Sequence, residues 1–258
     1  SGNLTPVFFG SAMNNFGVQH FLEHFISLAP SPAPRKNKDD TLIPPTDPNF
    51  SGFIFKVQAN MDPSHRDRVA FMRVCSGKFK RAMDSIHGRL GRTFRLSNPI
   101  QFFAQEREVI EEAWPGDIVG LLDTTGDLRI GDTLSINGRI QFEGVPRFSP
   151  EHFAAVVILD PMKRKQLKKG LDELTEEGVV QIFRRPGLGD KDPVLGAVGA
   201  LQFDVLQHRL KTEYGADIRI ERLPFTRVRW VSGPNLNLTE LNERADTSVL
   251  EDRDGHPV

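Results

Sequence analysis

The chain has 258 residues, 38% of them apolar and 26% charged, with a formal net charge of −1. This is the profile of a soluble globular protein long enough for two domains, not of a disordered chain, and no stretch approaches the roughly 20 consecutive apolar residues of a membrane helix. The single cysteine, Cys75, excludes an internal disulfide framework and a multi-cysteine zinc site and suits a reducing, cytoplasmic setting.

The chain opens Ser1-Gly2-Asn3-Leu4, without a methionine or a basic n-region followed by an apolar stretch. That start reads as a boundary inside a longer protein. Thr5–Gly10 reads as a short apolar strand and Ser11–Asn15 as a polar loop. Gly17–Leu28 reads as a helix, with Val18, Phe21, Leu22, Phe25 and Leu28 forming one apolar stripe. The remnant of a first domain is therefore expected over residues 1–29. The proline-rich stretch 30–49 reads as a linker.

From residue 50 to 148 the pattern is all-β. Phe53–Val57 and Arg68–Val74 are rich in β-branched and aromatic residues, with turn signals at Ser76-Gly77-Lys78 and Asn137-Gly138. Short strands at such regular spacing suggest a barrel. Residues 149–233 change period. Strands are expected at Phe153–Leu159, Val179–Phe183, Val194–Ala200 and Ile218–Leu223, and helices at Met162–Glu177 and Leu201–Tyr214, with a further short strand at Val228–Val231. The order βαββαβ is the ferredoxin-like signature. Residues 234–258 are acidic and poor in apolar residues, and are expected to be poorly ordered.

Charge is unevenly distributed. Between Phe50 and Asn98 there are ten Lys/Arg against three Asp/Glu; between Pro99 and Arg147 there are four against nine. A basic segment in a nearly neutral chain suggests either a face turned to a polyanion or a solvated surface. Arg66, Arg68, Lys78, Lys80 and Arg81 are the candidate contacts to such a polyanion. A Gly-x-x-x-x-Gly-Lys-Ser/Thr loop is absent from the sequence, so nothing here forms a phosphate cradle of that kind. No paired catalytic carboxylates stand out. The seven histidines read as scattered surface or core residues, no two of them at i, i+4 on a common face, and no metal site is assigned.

Several segments identify a family resemblance. Phe55-Lys56, Asp62-Pro63, Arg68–Val74, Ser76-Gly77, Pro115–Gly120 and Gly131–Leu134, in this order, resemble the β-barrel of elongation-factor-like translational GTPases. The run Phe53–Val74, with His65-Arg66-Asp67-Arg68 at its turn, is similar to bacterial class II peptide-chain release factors. So are Phe142–Pro146, Leu174–Gly178 and Gly196–Val205. The resemblance runs from Leu4 to about Val231, and the chain is expected to diverge from the family after Ser232.

The resemblance implies a mixed β and α+β fold, a translational-GTPase β-barrel followed by a ferredoxin-like βαββαβ domain. It implies a parent protein that binds GTP or GDP with Mg²⁺ and acts on the ribosome, where it promotes dissociation of the class I release factor. Ser11-Ala12 would be the edge of the guanine site, reached through backbone N–H groups. The barrel would contact small-subunit RNA and the second domain would lie near a small-subunit protein. The chain itself is expected to be inactive as a GTPase, with no cofactor of its own. Two other readings stand beside this one: a piece of another elongation-factor-like GTPase, or a free-standing RNA-binding barrel.

Overall fold

The computed structural model describes residues 4–59, 68–97, 99–103, 106–138, 140–146, 148–186, 193–234, 236–243 and 248–258. The first element is α1 (Val18–Leu28), started by Gly17 in the left-handed conformation. Thr5–Gly10, expected as a strand, forms none. Strands need a paired neighbour, whereas Phe8 packs on His20, Phe21 and His24 of α1 and Gly10 lies against the Phe16 carbonyl. The apolar stripe of α1 buries no residue, and Phe21, Phe25 and Leu28 are 42%, 54% and 58% exposed.

The expected linker is folded. β1 (Arg35–Lys36) pairs with β2 (Leu42–Ile43), and the Asn37 carboxamide accepts the amides of Asp39 and Thr41 inside the turn. Ile43 is buried with Phe53, Cys75, Ile140 and Phe142, and the Arg35 guanidinium lies 3.7 Å from the Phe53 ring centre. Composition suggested a stretch without a core of its own. The segment instead borrows one from the outer face of the barrel.

The barrel strands are β3 (Ser51–Ala59), β4 (Arg68–Ser76), β5 (Phe79–Lys80), β6 (Asp84–His87), β7 (Arg92–Arg95), β8 (Pro99–Phe103), β9 (Glu106–Val109), β10 (Glu112–Ala113), β11 (Ile118–Leu122) and β12 (Thr133–Ser135). Eight form one curled antiparallel sheet in the order β7-β6-β12-β3-β4-β11-β8-β9, and β5 and β10 form a separate ribbon. The period of two explains the curl's filling: along β4, Ala70, Met72 and Val74 point inward, joining Phe50, Ile54, Phe79 and Leu134 in one core. Phe71 and Arg73 alternate to the outside.

The second domain is built from β13 (His152–Ile158), α2 (Arg164–Glu176), β14 (Gln181–Phe183), β15 (Val194–Ala197), α3 (Leu201–Tyr214) and β16 (Ile218–Leu223). The antiparallel sheet runs β14-β15-β13-β16, so the two crossovers each skip one strand, as the ferredoxin-like order requires. Leu171 and Leu174 of α2 and Phe203, Leu206 and Leu210 of α3 pack on Ala154, Ile182, Leu195 and Ile218 of the sheet. The helices touch at Gly170, where an added Cβ would fall 2.5 Å from Leu210 Cδ2 and 2.9 Å from the Tyr214 ring. Gly170→Val is expected to lower stability by about 1–3 kcal/mol through overpacking, read as a lower urea midpoint at unchanged slope.

Val228–Val231 is not a strand, although Val228 is buried. The tail expected to be poorly ordered contains α4 (Leu238–Asn242) and a tight return over 250–258. Arg184 and Glu251 exchange backbone hydrogen bonds at 2.8 Å, as do Leu250 and Val258 at 2.8 and 2.9 Å. Leu250 is buried against Phe153, Phe183, Val194 and Val228. A few apolar side chains suffice because the sheet edge at Arg184 supplies backbone partners.

Candidate nucleic-acid interface

The charge asymmetry of the sequence is largely resolved inside the barrel. Arg81 Nη1 lies 2.7 Å from Glu111 Oε1 and Lys78 Nζ 2.5 Å from Glu112 Oε2, across the β5–β10 ribbon. Lys78 also sits 5.0 Å from the Trp114 ring. Arg89 grips Asp132 with Nε at 2.8 Å and Nη2 at 2.9 Å, and Arg92 pairs with Asp127. The basic and acidic halves of the barrel sequence thus meet as neighbouring strands and hairpins.

Of the predicted contacts, Arg66 lies outside the described residues. Arg68 is turned inward, its side chain 14% exposed. Its guanidinium spans Asp123 (Nε to Oδ2, 3.3 Å), Glu176 of α2 and the Leu128 carbonyl at 2.6 Å. Burial pushes its pKa down, while Asp123 works against that shift. Glu176 also pairs with Arg253 of the tail, and Glu177 accepts the Ala59 amide at 2.7 Å and pairs with Arg209. Arg68 therefore belongs to the joint between barrel and second domain. Lys80 stays exposed at the end of β5, and Arg81 is exposed beside its Glu111 partner.

The outer face of the barrel brings together residues the sequence reading did not single out. Lys56 is opposite Phe71 across β3–β4, its ammonium 5.2 Å from the ring. Arg73 is opposite Ile118 across β4–β11; both are exposed, as is Lys56. Cations beside a half-exposed aromatic ring can meet both phosphate and base. The signal was present, since β4 alternates Ala70, Met72 and Val74 with Phe71 and Arg73. The choice of cations followed density along the chain and ignored which face each strand position takes.

Ser11 and Ala12 stand in a closed loop. Ser11 and Phe16 exchange backbone hydrogen bonds at 2.9 and 3.0 Å, and Asn15 donates to the Ala12 carbonyl at 3.4 Å. Gly10 is needed there, because a Cβ would lie 2.8 Å from the Phe16 oxygen. His20 and His24 are four residues apart on α1, with ring centres 4.2 Å apart, so the histidines are less scattered than the sequence reading held. His24 Nδ1 lies 2.9 Å from the His20 carbonyl. Cys75 is buried, and burial pushes its thiol up to about 11, which fits an inert side chain.

Comparison with known proteins agrees with this architecture segment by segment. Residues 49–137 match the family model "Elongation factor G domain 2" and residues 142–258 match "Class II release factor RF3, C-terminal domain". Peptide chain release factor 3 of Symbiobacterium thermophilum is 53% identical over 257 residues, covering 100% of this chain and 48% of the relative. The protein of the same name from Trichodesmium erythraeum is 50% identical over 258 residues, covering 100% and 47%. Over its whole length the chain is similar to class II peptide-chain release factors, and residues 142–258 match that family's C-terminal domain.

A crystal structure of a protein from Thermus thermophilus shares the fold, with a TM-score of 0.62, 23% identity, and coverage of 81% of this chain and 30% of that one. The chain spans about half the length of the curated release factors it matches. The expected divergence after Ser232 is overturned: the family model and the relatives both run through residue 258. The tail looked foreign because the return over 250–258 is held mainly by backbone pairing, which leaves little trace in side-chain pattern. No helix among the described residues is long and apolar enough to cross a membrane.

Proposed function

We propose that this chain supplies the ribosome-facing barrel and second domain of a translation-termination GTPase. The parent protein would act in the cytoplasm with GTP or GDP and Mg²⁺, promoting departure of the class I release factor from the ribosome. The observation that carries the reading is identity of about 50% along the entire chain to release factors 3. The residues present do not fit the nucleotide's phosphates: the sequence has no phosphate-binding loop, and the Ser11–Ala12 loop offers amides rather than cations. The Ser11 amide is committed to the Phe16 carbonyl, so a guanine contact here would fall to the Ala12 amide. No step of hydrolysis is assigned to these 258 residues.

What the chain can contribute is a docking surface. Lys56, Arg73 and Lys80 are exposed on the barrel, and neutralising phosphates releases counterions, which makes binding salt-dependent. Replacing these three with alanine is expected to weaken co-sedimentation with purified small subunits about tenfold. The slope of log K against log[salt] should flatten by roughly 2–3. The pair Lys78→Ala and Arg81→Ala should weaken binding less, because Glu112 and Glu111 already neutralise those charges. Unchanged binding and slope in the triple variant would remove the barrel face from the proposal.

A further inference from the structure

α2 opposes its own dipole at both ends. Lys163 precedes the helix, Arg164, Lys165, Lys168 and Lys169 fill its first two turns, and its first turn holds no acid. The N-terminal end of a helix carries partial positive charge, so cations there are unfavourable. Arg164 with Lys168, and Lys165 with Lys169, are also like-charge pairs at i,i+4, which destabilise a helix further. At the other end stand Asp172, Glu173, Glu176 and Glu177, where the dipole disfavours acids.

The acidic end is accounted for by its partners in the chain: Glu176 holds Arg68 and Arg253, and Glu177 holds Arg209 and the Ala59 amide. The basic end is exposed at Arg164, Lys165, Lys168 and Lys169. Residues 161–170 hold five cations and no acid, in a chain of net charge −1. Lys169 is 3.5 Å from Glu173, itself on the same helix. A helix start this rich in cations gives up local consistency, and such places are where function is to be sought.

We propose that this face of α2 is a second RNA contact, one that grips the phosphate backbone of a double-helical segment of ribosomal RNA. The inference rests on the ribosomal reading above and adds a site separate from the barrel. The helical rise between Arg164 and Glu176 puts the start of the basic face about 18 Å from the joint. Charge complementarity selects a polyanion. Four of the five cations are lysines, mobile point charges suited to neutralising phosphates without geometric choice. The exposed side chains that precede them in the chain, Leu159 and Met162, are aliphatic and offer none of the aromatic platforms that single strands stack on. A duplex read through its backbone is the polyanion that matches.

The test is a variant with Arg164, Lys165, Lys168 and Lys169 all changed to glutamine. Its thermal midpoint should hold or rise, because repulsion is removed. Its affinity for a fluorescent RNA hairpin with a stem of about 20 base pairs, long enough for two successive minor grooves, should fall at least tenfold. The salt slope should become shallower by roughly 3. Unchanged affinity and slope would overturn the inference. So would an equal loss for a poly-glutamate peptide at the same charge density, which would point to an acidic protein instead. Pelleting with small subunits separates this from the function proposed above. If the parent chain pellets and the quadruple variant pellets equally well at every salt concentration, only the α2 contact fails. If the parent chain binds the hairpin through α2 but never pellets, the ribosomal reading fails and α2 remains a general RNA contact.

Discussion

Glu176→Leu is expected to cost about 3 kcal/mol of stability and to separate the unfolding of the two domains into two transitions. Glu176 sits between Arg68 of the barrel and Arg253 of the tail, with the three side chains 16%, 14% and 29% exposed. Removing one member of a buried charge group leaves the others uncompensated, typically at a cost of about 3–5 kcal/mol. Partial exposure of Arg253 places this site at the lower end. Arg68 would keep Asp123 and the Leu128 carbonyl, so the barrel itself should survive and the joint should fail. Differential scanning calorimetry reads both parts of the expectation. The double variant Glu176→Leu, Arg253→Met provides the internal check. With Arg68 still held by Asp123, removing the stranded Arg253 charge should recover part of the loss. A double variant less stable than the single one would mean that Arg253 holds the joint through more than its pair with Glu176.

That joint was beyond the reach of the sequence, and the reason is physical. Strand and helix periods report burial relative to an element's own axis, so β4 and α2 were legible, and the order βαββαβ followed from them. Which partner Arg68 meets depends on how two domains pack, and Glu176 lies 108 residues away. The same applies to the barrel's charges: density along the chain marked 50–98 as basic, but pairing across strands matches Lys78 with Glu112 and Arg81 with Glu111. The linker and the tail were misread for a related reason. Leu42-Ile43 and Val249-Leu250 are short apolar pairs in polar stretches, and Ile43 and Leu250 are buried against surfaces that other segments form. By contrast, the unburied stripe of α1 was legible, since five apolar residues on one helical face require more partner surface than its neighbouring segment offers.

Asp132→Asn is expected to remove about 2 kcal/mol at neutral pH, with the loss fading in acid. Asp132 is 5% exposed at the turn before β12. Its carboxylate accepts Arg89 through Nε and Nη2 and the Arg129 amide at 2.7 Å, and His87 Nε2 lies 3.0 Å away. The Leu90 amide reaches His87 Nδ1 at 3.4 Å, which leaves Nε2, on the Asp132 side, to carry the ring proton. Burial alone would raise the carboxyl pKa; the hydrogen bonds from Arg89, His87 and the Arg129 amide outweigh it and hold the group at about 2, below the ordinary 3.8. With the folded value depressed, the stabilisation is complete above about pH 4 and is lost as pH falls towards about 2. At about 1.4 kcal/mol per pKa unit, the shift corresponds to about 2 kcal/mol. Urea unfolding at intervals from neutral pH down to about pH 2 should therefore show the two proteins converging at the acid end. A gap that stays constant across that range would mean that the asparagine merely disturbs the turn, and that the Asp132 charge adds nothing to the barrel's stability.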